Sequence, residues 1–426
     1  MEETVGISVF LTDTAGIGGR LRKEPEDFIV EEISNELERV DGGKFTAARI
    51  RSRNWETNRL VRKLARNLRI SRRKIRFAGT KDKRAVTTRL FQFDCSPERV
   101  NSLSMADVDL LDVFQTNERL DIGDLYGNEF IIGVRDIEMP INDAYNQSFE
   151  TGSEILETGG FPNFFGVQRF GVIRPVTHLV GKHITGGDFE QAVMTYVGNP
   201  IEGEHEEAFE VRKALQEDRD YAKALVNFPE KLSFEKAVLN YLVKNPDDFV
   251  GALGQLPENL LMMFVHAYQS YLFNRMLSLR MEKDLPLGLP IEGDIVLPLN
   301  KYGLPDHGNW IPVKERNMEK VTDQVRRKRA FVSAVLFGTE SELAKGDMGE
   351  IESKVIENEG VKNNDFFVGQ MKRLSSKGTR REVLAPMDEI EIHKTEDSIL
   401  FNFQLNKGCY ATSLLREFMK ADSTSY

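Results

Sequence analysis

The spacing of apolar and polar residues along the chain predicts a mixture of strands and helices. After Pro25, Phe28, Val30 and Ile33 alternate with acids, the pattern of a half-buried strand. Ile75 to Ala78 predicts a short strand and Thr87 to Phe93 another, with Gly79 between them allowing a sharp turn without a Cβ penalty. Gly127 to Val134 reads as a strand entered through a Gly-Asn turn, and Ile390 to Phe403 as two strands around an Asp-Ser turn. A helix starts at Thr57, taken as its cap, and runs to about Arg69 with Leu60, Val61, Leu64, Ala65 and Leu68 on one face.

A longer helix runs from Pro257 to about Arg280, its buried stripe being Leu260, Leu261, Phe264, Ala267, Tyr268, Tyr271 and Leu272. Its polar members, His266, Gln269, Ser270, Asn274 and Arg275, read as surface or helix-packing groups. Residues from about 175 to 250 and from 338 to 360 are helical and acidic, while 285 to 335 are irregular and rich in Pro and Gly. Gly378-Thr379-Arg380-Arg381 reads as a basic turn, and Gly408 to Met419 as a turn into a helix capped by Thr412 or Ser413.

Charge changes this picture most. The chain carries −10 overall, yet the stretch from Lys44 to Phe91 holds seventeen Lys and Arg against only Glu56 and Asp82, a local charge of +15. An acidic protein that gathers its cations in one stretch is addressing phosphates, and the predominance of arginine suits bidentate contact with them. On the first predicted helix, Arg59, Arg62, Lys63, Arg66 and Arg69 form the face opposite the leucines. A solvated face normally mixes both signs for pairing along the helix, and here the acids are missing.

Other chemistries find little support. The length suits two or three domains, and two cysteines make neither a disulfide framework nor a zinc cluster. No apolar run approaches membrane-spanning length, and the first residues lack a signal-peptide pattern, so a soluble cytoplasmic protein is expected. There is no Walker loop, no zinc-deaminase signature and no Gly-x-Ser-x-Gly elbow. His178 and His183 have no cysteine or carboxylate cluster near them, so no metal is expected.

What remains is one carboxylate, Asp82, flanked by Lys81, Lys83 and Arg84 in the run Arg76-Phe77-Ala78-Gly79-Thr80-Lys81-Asp82-Lys83-Arg84-Ala85-Val86. The cations favour its ionised form. It is either a turn residue that tempers local repulsion or the reactive group of a site for a polyanion. The run Asn163-Phe164-Phe165-Gly166-Val167-Gln168-Arg169-Phe170-Gly171 crowds aromatics with amides and an arginine. It reads equally as an aromatic plug or as a platform for stacked bases.

Phe77 to Thr87 closely resembles the catalytic motif of the TruD pseudouridine synthases, and Asn163 to Gly171 resembles that family's second signature. Pro25 to Phe28, Gly127 to Phe130 and Ala411 to Glu417 match further family segments in the same order, so the resemblance covers nearly the whole chain. It implies isomerisation of uridine to pseudouridine in tRNA, at position 13 in the best-known members, with neither cofactor nor metal. Asp82 falls on the family's catalytic aspartate, and Phe130 on the aromatic that packs against the flipped base. Phe28, Lys81, Asn128, Asn163, Gln168 and Arg169 fall on substrate-binding positions, with Arg59, Arg62, Arg66 and Arg69 expected at the RNA backbone.

The implied fold is α+β: a catalytic domain with a mixed, largely antiparallel sheet over residues 1–164 and 373–426, and an inserted α+β TRUD domain over 165–372. A monomer acting on tRNA is expected. The alternative is a non-catalytic tRNA-binding or RNA-folding protein using the same basic surface, although a pure binder gains nothing from an anion amid its cations.

Overall fold

The computed structural model describes residues 2–426. The chain divides into two compact units, one of Leu11–Phe161 with Ala385–Tyr426, the other of Met1–Phe10 with Pro162–Leu384. Among the described residues no helix is long and apolar enough to cross a membrane.

The unit that carries Asp82 is built on β1 (Phe28–Ser34), β2 (Phe45–Arg53), α1 (Thr57–Asn67), β3 (Ile75–Phe77), β4 (Val86–Phe93), α2 (Pro97–Asn101), β5 (Val108–Thr116), β6 (Leu125–Val134), α3 (Ile141–Thr158), β7 (Ile390–Lys394) and β8 (Ile399–Asn406). Its sheet runs β7-β8-β6-β1-β4-β2-β5, with β3 paired to β4 off this path. The β1–β4 pair is parallel and the other pairs are antiparallel, which makes the mixed, largely antiparallel sheet that the resemblance implies. β4 is buried along its whole length, as a central strand covered on both faces must be.

One sheet face holds two apolar clusters. Phe28, Val30, Phe130, Ile132 and Phe403 pack with Ile155 of α3 and Leu414 and Phe418 of the C-terminal helix Ala411–Met419. Phe91, Phe93, Ala48 and Ile50 pack with Leu60 and Leu64 of α1 and with Leu68 just past its end. The two-residue period of β1 places Glu32 on this same face, where it is 2 % exposed, and leaves Ile33 only half-buried on the other. The expected inward position of Ile33 is thereby corrected, because a strand keeps its phase even where that buries a carboxylate.

Three local expectations change for stated reasons. Gly127 and Asn128 lie inside β6 and do not form a turn; a Cβ at Gly127 would sit 2.1 Å from the carbonyl oxygen of Leu405, so the glycine serves the close approach of β8. Gly79 is not in the left-handed region, and a Cβ there would meet only Leu125 at 4.0 Å, so no turn demands it. The C-terminal helix begins at Ala411 with Tyr410 at the cap position, so Thr412 and Ser413 lie inside the helix.

The other unit is organised around the helix Glu258–Glu282. Its polar positions are largely turned inward: Gln269 donates to the Phe337 carbonyl, Asn274 bonds to both backbone groups of Phe165 and to the Val5 carbonyl, and Ser278 donates to the Gly6 carbonyl. Arg280 forms a fully buried bidentate pair with Asp294. These bonds hold residues 2–10 to this unit, where the sequence placed them with the catalytic half. The downstream junction likewise falls after Leu384, not at 372, because Thr379–Glu382 is a strand paired with Ala330–Leu336. Arg380 and Arg381, read from the sequence as a basic turn, are buried in that strand.

Candidate active site

The Asp82 loop joins β3 to β4 and lies against the two apolar clusters described above. Ala85 packs with Phe28 and Phe130 in one, and Lys81 bonds to Thr57 of α1 beside the other. Asp82 itself stays open, with 56 % of its side chain exposed. Its Oδ2 lies 3.3 Å from Nη2 of Arg22. Arg22 is mostly buried, and its guanidinium carbon rests 4.0 Å from the centre of the Phe28 ring. Burial lowers the arginine's pKa from its ordinary value, and the facing Asp82 carboxylate opposes that shift. The backbone that carries Arg22 is pinned by Arg20, whose N–H and carbonyl both bond to Arg135, and by Arg84, which donates to the Lys23 carbonyl.

Below this pair lies an aromatic floor. Phe28 meets Phe130 edge-on at 6.2 Å, and Phe130 stacks on Phe403 at 5.5 Å. Phe28 is 1 % exposed and Phe130 7 %, so Phe28 supports Arg22 from beneath and Phe130 presents only a sliver of its ring. Two register pairs farther along, Asn128 faces Glu32, and the Asn128 Oδ1 is buried without a protein partner. A buried amide oxygen with no protein donor is a group that a ligand can satisfy.

Lys81 was expected to meet substrate and is turned inward instead. Its ammonium lies 2.7 Å from Oε2 of Glu32, with side-chain exposures of 6 % and 0 %. The other Glu32 oxygen accepts from the Leu90 N–H and the Ser34 hydroxyl. The pair is neutral overall, which is how a charge is tolerated in an apolar layer. Of the three basic residues flanking Asp82, Lys83 and Arg84 remain exposed.

On α1, Arg59, Arg62 and Arg66 are exposed, as expected. The helix stops at Asn67, so Arg69, with φ +50°, lies beyond its end but is still exposed. The cap is Glu56, whose carboxylate accepts from the Asn58 and Arg59 N–H groups, and not Thr57. A cavity of about 510 Å³ in the same unit is lined by Glu129, Asp388, Glu389 and Glu391, a charge that repels phosphate.

Asn163, Gln168 and Arg169 belong to the other unit. Asn163 is fully buried and bonds to the Glu382 carboxylate and carbonyl and to Arg381. Gln168 and Arg169 are half-buried in a turn of 3-10 helix, Val167–Arg169, with the Arg169 guanidinium 5.9 Å from the Phe165 ring. Arg381 lies over Phe165 as well, at 4.2 Å. Within its own unit the signature thus works as an aromatic plug tied to the strand Thr379–Glu382. His178 is stacked on Tyr271 at 5.0 Å, and burial pushes its pKa down to about 4. No group of three or more His, Cys, Asp or Glu able to hold a metal is found among the described residues.

Sequence reasoning missed Arg22, Glu32 and Phe403 as members of this site. The strand period alone would have found Glu32. Arg22 and Phe403 are brought in by the sheet from distant parts of the chain, and no local signal marks them.

The model of the family described as tRNA pseudouridine synthase D (TruD) matches residues 4–418. A probable tRNA pseudouridine synthase D of Methanococcoides burtonii is 44 % identical over 99 % of this chain and 98 % of its own length. One from Methanosarcina acetivorans is 42 % identical over 99 % and 97 %. The crystal structure of the putative tRNA pseudouridine synthase D from Methanosarcina mazei superposes with a TM-score of 0.88 at 40 % identity, covering 100 % of this chain and 98 % of that one.

Proposed function

Because the chain belongs to the tRNA pseudouridine synthase D family, we propose that it isomerises uridine to pseudouridine in tRNA, at position 13, with Asp82 as the reactive carboxylate. The unit of Leu11–Phe161 and Ala385–Tyr426 is then the catalytic domain, and the unit of Pro162–Leu384 the family's insertion. The observation that carries this reading is the setting of Asp82: an exposed carboxylate on a loop held from behind, beside one arginine and above an aromatic floor.

The reaction breaks the C1′–N1 bond of uridine, turns the uracil, forms the C1′–C5 bond and moves one proton from C5 to N1. Nothing is consumed, so the stoichiometry asks for no second substrate. The base must first leave its stack, and the edge of Phe130 and the unmet Asn128 oxygen offer the extruded base an apolar contact and a hydrogen-bond acceptor. Asp82 serves as nucleophile or as base toward the sugar, and both roles ask for an unprotonated oxygen at a fixed point. Arg22 supplies a cation that faces Asp82 and orients it.

The test is carbodiimide mapping of pseudouridine in unmodified tRNA incubated with the purified protein and with Asp82→Asn. Wild type should modify one position, and Asp82→Asn should bind tRNA with equal or greater affinity while making no product. A folded Asp82→Asn protein that still isomerises uridine at near the wild-type rate refutes the assignment.

A further inference from the structure

Arg89 sits in the middle of β4, fully buried, with its guanidinium carbon 5.2 Å from the Phe91 ring. Its Nη1 donates to the Thr57 hydroxyl at 2.8 Å, while Nε and Nη2 are buried with no partner. Burial pushes its pKa down to about 10, with the nearby charges of Glu32 and Glu56 opposing. A buried cation with two unmet donor nitrogens is costly, and stability alone does not account for keeping it.

What it touches supplies the reason. The Thr57 oxygen accepts from Arg89 and also from the Lys81 N–H at 3.1 Å. A hydroxyl has two acceptor sites and one hydrogen, so those two bonds leave its hydrogen for the Lys81 carbonyl, 3.5 Å away. All three hydrogen-bonding valences are used, and one side chain grips both backbone groups of the residue next to Asp82. Thr57 is free to do this because Glu56 caps the helix in its place. The Lys81 ammonium is fixed independently by Glu32.

We propose that Thr57 and Arg89 are positioning residues for the reaction, Arg89 orienting the Thr57 hydroxyl so that it clamps the Lys81 backbone and holds Asp82 at its reactive point. The inference rests on the reading of Asp82 as the reactive carboxylate. Neither residue touches substrate; both act through the loop. A misplacement of about 1 Å at a reacting group costs on the order of 100-fold in rate, so a clamp one residue away has a large effect on the chemical step and little on tRNA affinity.

The experiment compares wild type, Thr57→Val, Thr57→Ser and Arg89→Met in single-turnover pseudouridine formation at saturating tRNA, alongside tRNA affinity, melting temperature and deuterium uptake of the peptide around Lys81. Thr57→Val, of the same shape but without the hydroxyl, should slow the chemical step about 10- to 100-fold, leave affinity unchanged and raise uptake in the loop. Thr57→Ser should restore most of the rate and the protection. Arg89→Met should slow the step while its melting temperature holds or rises, because two unmet buried donor nitrogens are removed; a merely structural role predicts a fall. A wild-type rate in Thr57→Val and Arg89→Met overturns the proposal, as does a serine variant as slow as the valine one, or a rate loss explained by weaker tRNA binding. A wild-type protein that makes no pseudouridine would refute the function, and loop uptake would still decide the clamp.

Discussion

Arg22 Nη2 lies 3.3 Å from Oδ2 of Asp82 while the same guanidinium rests on the face of Phe28. One planar cation is thus held by an aromatic ring on one side and aimed at a carboxylate on the other. Arg22→Met keeps a long side chain over Phe28 and removes the charge. It should lower the single-turnover rate about 10- to 100-fold with little change in stability, since one oriented charge near a reacting group is commonly worth that much. Arg22→Lys should recover only part of the rate, because an ammonium neither stacks on the ring nor keeps the same fork geometry.

The buried Lys81–Glu32 pair predicts an asymmetry in stability. Glu32→Gln leaves an unpaired ammonium in an apolar layer and should destabilise the unit of Leu11–Phe161 and Ala385–Tyr426 by about 3–5 kcal/mol in urea unfolding. Adding Lys81→Met to Glu32→Gln should return much of that loss, because the stranded charge is gone. A double variant no more stable than Glu32→Gln would show that the pair is not what holds the layer together.

The exposed arginines of α1 predict the salt dependence of binding. Replacing Arg62, Arg66 and Arg69 together by glutamine should weaken tRNA binding and lower the slope of log affinity against log salt by about one unit for each phosphate that is no longer neutralised. An unchanged slope would put the RNA elsewhere.

His178 predicts a pH effect on stability. Its folded pKa is about 4, against an ordinary value of 6.5. As pH falls through 6.5 the unfolded chain takes up a proton that the folded one refuses, so stability present at neutral pH is lost between about 6.5 and 4. The contribution is roughly 3 kcal/mol at most. His178→Phe keeps the stack on Tyr271 and removes the titration, so its urea midpoint should change less than that of wild type between pH 7 and pH 4.5. Parallel curves for the two proteins would show that His178 is not the group responsible.

The sequence by itself determined the strands on either side of Asp82, the amphipathic α1 with its arginine face, and, through motifs in their right order, the family. These features are local: periodicity, charge density and contiguous residue identities survive without a third dimension. Only the tertiary structure decided which side chains surround Asp82. The parallel pairing of β1 with β4 sets Glu32 and Arg89 on one face, the β6–β8 pair brings Phe403 against Phe130, and the Arg20–Arg135 bridge carries Arg22 to the loop. The same holds for the inward turn of Lys81, which the motif places among the substrate-binding residues. Its direction is fixed by a carboxylate from 49 positions earlier in the chain, buried because a strand cannot break its alternation to spare one acidic residue.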